Sequence, residues 1–301
     1  MDLSRFGAAA PWSLGVEEEL MLVDAETLEP ARDGFSRVFG SGTERIKPEL
    51  FESFVEITTS VVSTTDEVEC QLRALRLEVA ERAAAHGLAV FATGSHPAAR
   101  GQVPIVPVER YERLKAKLGQ RLCRQRVCGL HVHVAVPDPD TCLRAFEGVV
   151  PRLPALLATS ANSPYWDGEE SGWRSIRSQI LLEMPTGGVP PVLRSWDDWR
   201  TASREDSTRR HWDAWPRPEY GTLEVRVMDQ PTSLRRTVEL AAEVQQLVRE
   251  AAETGGEPLD RGEYEAARQQ AARVGGGPEA ERQLELGPEA AAREIAALTL
   301  G

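Results

Sequence analysis

An α+β fold, with a curved antiparallel sheet flanked by helices, is the architecture this sequence predicts, and three observations predict it. Separated segments alternate aliphatic with polar residues at the two-residue period of a strand. Amphipathic helical stretches fall between and after them, yet no regular strand–helix–strand repeat runs through the chain, which disfavours a parallel sheet. In four of these segments the non-aliphatic face carries carboxylates or imidazoles, so one side of the sheet reads as core and the other as chemistry.

The first strand lies in the stretch Ser13 to Asp24, where Leu14, Val16, Leu20 and Leu22 share one face and Glu17, Glu19, Met21 and Val23 the other. Residues 25–47 are rich in Gly, Arg and Asp and read as a loop-dominated connection leading to Pro48. From Ser53 to Val62, Val55, Ile57, Thr59 and Val61 alternate with Phe54, Glu56, Thr58 and Ser60, a β-branched pattern typical of sheets. Thr64 to Glu67 supply N-cap chemistry for a helix carrying Val68, Leu72, Leu75 and Val79 and stopping near Gly87. Leu88 to Thr93 is a further short strand, and Pro107 to Leu122 reads as one charged helix. Gly129 to Val136 alternates most cleanly, with Leu130, Val132, Val134 and Val136 against His131, His133 and Ala135. A helix from about Thr141 to Ser160 carries Pro151 and Pro154, which predict a break. Residues 161–172 form a turn-rich loop, and residues 172–220, with five of the seven tryptophans, show no readable period. Thr222 to Met228 is the last strand, with Thr222, Glu224, Arg226 and Met228 opposite Leu223, Val225 and Val227. Thr232 begins a long amphipathic helix, and the Ala-, Glu- and Arg-rich helical tail is interrupted at Gly275 to Gly277.

Composition narrows the function classes. The chain has 301 residues, enough for a substantial core, and 35 Lys and Arg against 47 Asp and Glu leave a net charge of −12, which disfavours a nucleic-acid partner. No apolar run reaches membrane-spanning length, and the start Met-Asp-Leu-Ser-Arg-Phe lacks the order of a signal peptide, so a cytoplasmic location is expected. Cys70, Cys123, Cys128 and Cys142 are too sparse and irregular for a disulfide framework.

The polar faces hold Glu17 with Glu19, Glu56, His131 with His133, and Glu224 with Arg226. Carboxylates gathered on one floor repel and cannot all ionise unless cations join them. Ligation by oxygen with little thiolate points to Mg²⁺ or Mn²⁺ rather than zinc. Taken alone, Glu17 and Glu19 are explained equally well by a half-solvated strand. Glu49 precedes Glu56 by seven positions and would face the opposite way on a continuous strand. Pro48 and the Phe51-Glu-Ser tract permit a loop or bulge that turns Glu49 inward, and a solvated loop acid is the equal alternative. Cys123, Cys128, His131 and His133 fall within eleven positions, but parity would put Cys128 on the aliphatic side with Leu130, away from both histidines. No Gly-rich phosphate loop occurs, so nucleotide phosphates would be held by metals and by arginines. Arg174, Arg177, Arg217 and Arg226 are the candidates, each with surface solvation as its alternative, and Arg226 is the strongest because it lies within a strand beside Glu224.

Several motifs carry a resemblance: Gly15 to Leu20 (Gly-Val-Glu-Glu-Glu-Leu), Glu49 through Glu56-Ile-Thr58, Gly94-Ser-His-Pro97, Cys128 to Val134 (Cys-Gly-Leu-His-Val-His-Val), Ser160 to Pro164 and Tyr220 to Asp229. In this order the chain resembles the type 2 glutamate-cysteine ligases, or carboxylate-amine ligases, over most of residues 13–230. The resemblance implies a fold like the catalytic part of glutamine synthetase, in a single catalytic domain over 1–301 with a core at 13–250 and a helical tail at 251–301. It implies metal ligation by Glu17, Glu19, Glu49, Glu56, His131 and Glu224, contacts from Arg226 and Arg177 to phosphate or substrate, and a homodimer. His133 and Arg217 are expected to bind substrate or ATP, and Glu224 and Arg226 to carry the catalytic roles. The implied reaction is ATP-dependent amide formation through an acyl phosphate.

Two departures bear on this expectation. Where family members carry Trp-Trp-Asp-x-Arg-Pro-Ser before the last strand, this chain has His211-Trp-Asp-Ala-Trp-Pro-Arg217, which puts Trp215 in place of the arginine and leaves Arg217 to reach back. The segments at residues 25–47 and 190–212 are compressed. These departures define the alternative, a non-catalytic ATP- or metabolite-binding relative. A metallohydrolase working without ATP is a third reading.

Overall fold

The computed structural model describes residues 2–205, 211–256 and 260–300. The main strands are β1 (Leu14–Asp24), β2 (Ile46–Pro48), β3 (Phe54–Thr58), β4 (Leu88–Phe91) and β5 (Gly129–Ala135), with two-residue strands β6 (Tyr165–Trp166), β7 (Glu169–Glu170), β8 (Gly187–Gly188) and β9 (His211–Trp212) preceding β10 (Ala214–Arg217) and β11 (Thr222–Asp229). Helices are α1 (Gly34–Phe39), α2 (Thr65–Ala84), α3 (Glu109–Leu118), α4 (Gln120–Cys123), α5 (Pro139–Val149), α6 (Leu153–Ser160), α7 (Ile176–Ile180), α8 (Trp196–Glu205), α9 (Leu234–Thr254), α10 (Arg261–Val274), α11 (Pro278–Leu286) and α12 (Pro288–Leu298).

Seven strands form one antiparallel sheet in the order β10-β11-β5-β1-β3-β2, with β4 pairing the far end of β1. β1 is central because its eleven residues are long enough to hold β3 along one edge and β5 then β4 along the other. Its aliphatic face, with Leu14, Val16, Leu20 and Leu22, joins Val55, Ile57, Leu130, Val132 and Val134 in the main core under α2, α5 and α9. Each such side chain contributes about 1.5–3 kcal/mol on burial, so the two-residue period fixes which face turns inward. A capping box holds the start of α2: the Thr64 side chain accepts from Glu67 N while the Glu67 carboxylate accepts from Thr64 N.

Several expectations need correction. The connection at 25–47 contains α1 and β2, so it is less loop-like than its composition suggests. The charged helix at 107–122 breaks into α3 and α4 at Gly119, whose φ of 56° suits glycine. The strand read as Ser53 to Val62 spans only Phe54–Thr58, and Val61 is exposed. The break expected at Pro151 and Pro154 is present as a 3-10 turn at Val150–Arg152 between α5 and α6. Met228 faces the main core and not the side of Glu224, because a bulge shifts the β5–β11 register between Val225 and Met228. Cys128 packs with Met21, Phe54 and Phe91 in a second apolar cluster rather than beside Leu130, because it precedes β5 and escapes its parity. No described helix is long and apolar enough to cross a membrane.

Candidate active site

Strand register assembles the site. Glu17 stands opposite His131, Glu19 opposite Glu56, and His133 opposite Glu224, and directly opposed residues share a face of the sheet. Glu49 joins them by a route that strand parity does not show. The chain turns back between β2 and β3, which pair as antiparallel neighbours, so Glu49, in the turn just after β2, and Glu56, on β3, are not on opposite faces of one strand. Glu49 is buried.

Two groups of possible ligand atoms result, each within 4.8 Å of one another: Glu17, His133 and Glu224, and Glu19, Glu49 and Glu56. His131 lies between them, its Nδ1 3.4 Å from Glu17 and its Nε2 3.9 Å from Glu19. That Nε2 is buried without a hydrogen-bond partner. Five carboxylates and two imidazoles with no thiolate among them suit a hard, oxygen-preferring divalent cation, and the unpaired Nε2 leaves a lone pair or a donor to be satisfied. Cys128 is in neither group among the described residues.

The electrostatics of the floor are divided. Burial and the neighbouring charges of Glu17 and Glu49 push Glu56 up to about 8, against the opposing pull of Lys47. Burial would also raise Glu17, but the hydrogen bond from His131 and the charges of His133 and His131 hold it at about 2. For Glu224 burial is outweighed by Arg226 and Arg217, which keep its carboxyl far below the usual range. Arg226 Nη1 donates to Glu224 Oε1 at 2.6 Å and Arg217 Nη1 to Oε2 at 3.3 Å. Burial lowers His133 despite both carboxylates beside it, which keeps the ring available as a neutral ligand. Its Nδ1 is 2.9 Å from Thr222 Oγ1, and its Nε2 lies 3.8 Å from Glu17 and 3.7 Å from Glu224.

A cavity of about 670 Å³ opens over this floor. Glu17, Glu19, Glu49, Glu56, His131, Glu224, Arg217 and Arg226 all line it. Arg177 does not: it is buried beside the bulge of β11, where Nη2 donates to Arg226 O at 3.2 Å and Nη1 to Val227 O at 3.4 Å. It lines only a smaller adjoining chamber, beside Glu19, Glu49, His131 and Arg226. Arg174 is taken up by Glu281 on α11. Trp215 is fully buried, stacked on Trp199 and edge-on to Phe146. Arg217 does reach back to Glu224.

Sequence reasoning missed several cavity residues, among them Lys47, Arg110 and Tyr220. Lys47 lies directly across from Glu56 in the β2–β3 pair and reaches its Oε1 at 3.4 Å, a pairing visible only once the hairpin is known. Tyr220 sets its ring edge-on to His133 with the Arg217 guanidinium over it, and its place beside a Gly turn is the available signal.

The chain matches the sequence profile of glutamate-cysteine ligase family 2 over residues 13–297. It is 37% identical over 259 residues to a Rubrobacter xylanophilus protein provisionally named glutamate–cysteine ligase 2-1, covering 82% of this chain and 69% of that one. It is 34% identical over 248 residues to a Herpetosiphon aurantiacus protein provisionally named glutamate–cysteine ligase 2, covering 78% and 64% respectively. The chain thus spans about two thirds of the length of these relatives. Among solved structures, the fold resembles a Francisella tularensis glutamate–cysteine ligase in complex with AMP (TM-score 0.60, 13% identity, 98% of this chain and 78% of that one). It also resembles a bifunctional glutathione synthetase from Pasteurella multocida (TM-score 0.58, 20% identity, 96% and 46%). The helix-flanked antiparallel sheet expected from the sequence is therefore the fold of known ligases, and the extent of the profile match with the identity to these relatives shows that the chain belongs to glutamate-cysteine ligase family 2.

Proposed function

We propose that this chain is an ATP-dependent carboxylate–amine ligase that joins an amino-acid carboxylate, the γ-carboxylate of glutamate, to an amine such as that of cysteine. The observation that carries the reading is the meeting of two acidic ligand groups with Arg217 and Arg226 around one cavity. Family membership supports it.

A carboxylate is a poor electrophile. In the proposed reaction its oxygen attacks the γ-phosphorus of ATP, the bond to ADP breaks, and an acyl phosphate forms. The amine nitrogen then attacks the acyl carbon, phosphate leaves, and the nitrogen gives up a proton that the released phosphate can take. Positioning and charge control dominate such phosphoryl transfer. Arg226 and Arg217 keep Glu224 ionised and present their remaining donors at the cavity wall, suited to phosphate oxygens. Lys47 and Arg110 line the same cavity and add positive charge from the β2 side. Glu17, Glu19, Glu49, Glu56, Glu224 and the imidazoles of His131 and His133 would hold Mg²⁺ or Mn²⁺. When bound, such ions neutralise phosphate charge and align the reacting groups.

The test is phosphate release on mixing the protein with ATP, Mg²⁺ and a panel of amino acids, with mass spectrometry of the amide. Release that requires both a carboxylate and an amine supports the proposal; its absence across a broad panel refutes it. Trp215, standing where the family motif has an arginine, favours one competing reading, a non-catalytic nucleotide-binding relative, which would bind ATP tightly with no amide product. The same proposal takes the chain to act on small molecules in the cytoplasm as a homodimer, which light scattering of the purified protein checks.

A further inference from the structure

The β11 bulge places two residues, Arg226 and Val227, opposite the single residue His131, since Val225 pairs with Val132 and Met228 with Leu130. A bulge breaks the ladder and leaves carbonyls to be satisfied, and it re-aims the side chain it carries. Here the two carbonyls of the bulge are taken by one guanidinium, that of Arg177. The carbonyl of Arg226 is therefore held by Arg177 while its side chain reaches Glu224 and the cavity.

Arg177 is itself fixed. Its backbone N donates to Ser163 Oγ at 3.1 Å, and its Nη1 is 3.9 Å from Asp229 Oδ1 at the end of the same strand. Asp229 accepts from Asn162 N, Ser163 Oγ and Ser175 Oγ, so the counter-charge cannot swing away. Gly129 completes the fit: a Cβ there would stand 2.1 Å from Arg177 Nη2. Only glycine at this point of β5 leaves room for the guanidinium that reaches the bulge.

We propose that Arg177 is a positioning residue for Arg226, holding the bulge that aims the Arg226 guanidinium at the reacting phosphate, and that it does not itself contact substrate. This rests on the ligase reading for the identity of the anion but not for the geometry. The rival is a direct contact through Arg177 Nε, which is buried with no partner beside the smaller chamber.

A double-mutant cycle separates the two. Loss of Arg177 alone would strand Asp229, so the variant is Arg177→Met with Asp229→Asn, and Gly129→Ala is an independent way of displacing the guanidinium. Each is combined with Arg226→Ala. ATP affinity in the presence of Mg²⁺ is read by calorimetry, and kcat and KM by phosphate release, in proteins whose melting confirms folding. The proposal expects each brace variant to lose about tenfold in ATP affinity or kcat with the amino-acid KM unchanged, and to lose less than about twofold further once Arg226 is gone, because coupled sites are not additive. Multiplying losses, or a rise in amino-acid KM alone, would overturn it. If the wild type binds ATP but turns over no substrate pair, the ligase reading fails and the cycle is read on affinity. If the wild type binds no ATP, both fall.

Discussion

Binding of one divalent cation to the group of Glu19, Glu49 and Glu56 should expel close to one proton, and Glu56 is its source. With burial and the charges of Glu17 and Glu49 pushing Glu56 up to about 8, it carries about 0.9 proton at pH 7 in the metal-free protein. A cation in contact with its oxygens requires the carboxylate, so that proton must leave. Glu17, held at about 2, is already ionised and contributes none. Calorimetric titration of the metal-free protein with Mg²⁺ at pH 7, in buffers of different ionisation enthalpy, gives the number of protons released. The expected value is about 0.9 at pH 7, declining through pH 8 as Glu56 ionises unaided, with affinity rising about tenfold per pH unit below 8 and levelling above it. In Glu56→Gln the release should vanish and affinity should lose this pH dependence. Full affinity with no proton released, and no change with pH between 6 and 8, would refute the reasoning that the floor is over-charged without a cation.

Three further outcomes are expected. Glu224→Gln removes the charge that holds Arg217 and Arg226, so kcat for phosphate release should fall by about 10²- to 10³-fold with the melting transition retained, and an unchanged kcat would contradict the role of that trio. Burial pushes His96 down to about 4 from 6.5, so the folded chain binds fewer protons than the unfolded chain between those values. Stability should therefore fall as pH drops from about 6.5 towards 4, by up to about 3 kcal/mol, and His96→Gln should flatten that slope in chemical denaturation; an identical slope would count against it. Trp215→Arg, which installs the arginine expected from the family motif, would place a charge among Trp199, Trp212 and Phe146 and should cost about 4 kcal/mol or more in melting experiments while gaining no turnover.

The strand faces were legible because hydrophobic alternation is local: Leu14 to Leu22 and Leu130 to Val136 each declare their buried side without reference to the rest of the chain. The pairing of those faces into one floor followed from the same parity, and the structure brings Glu17, Glu19, Glu56, His131, His133 and Glu224 together. What depended on distant partners was not legible. Met228 defied its parity because the bulge is held by Arg177 and permitted by Gly129, neither of which leaves a periodic trace. Glu18 occupies an aliphatic position of β1, and only the fold reveals Arg76 on α2 donating to it at 2.6 and 2.8 Å, with Gln230 and Thr237 completing its shell. Residues 172–220 resisted reading because β8 and β9 are two residues long, β10 is four, and their order comes from tryptophan packing, which has no period.

Acidic and imidazole groups from β1, β3, β5, β11 and the turn after β2 are proposed to share divalent cations. A crystal grown with Mn²⁺ and a non-hydrolysable ATP analogue, measured at the manganese absorption edge, tests this most directly. Anomalous peaks are expected in coordination contact with Glu19, Glu49 and Glu56 and with Glu17, His133 and Glu224, with the nucleotide phosphates beside them and in reach of Arg226. Nucleotide bound elsewhere, or manganese absent from both groups while the nucleotide is in place, would contradict it.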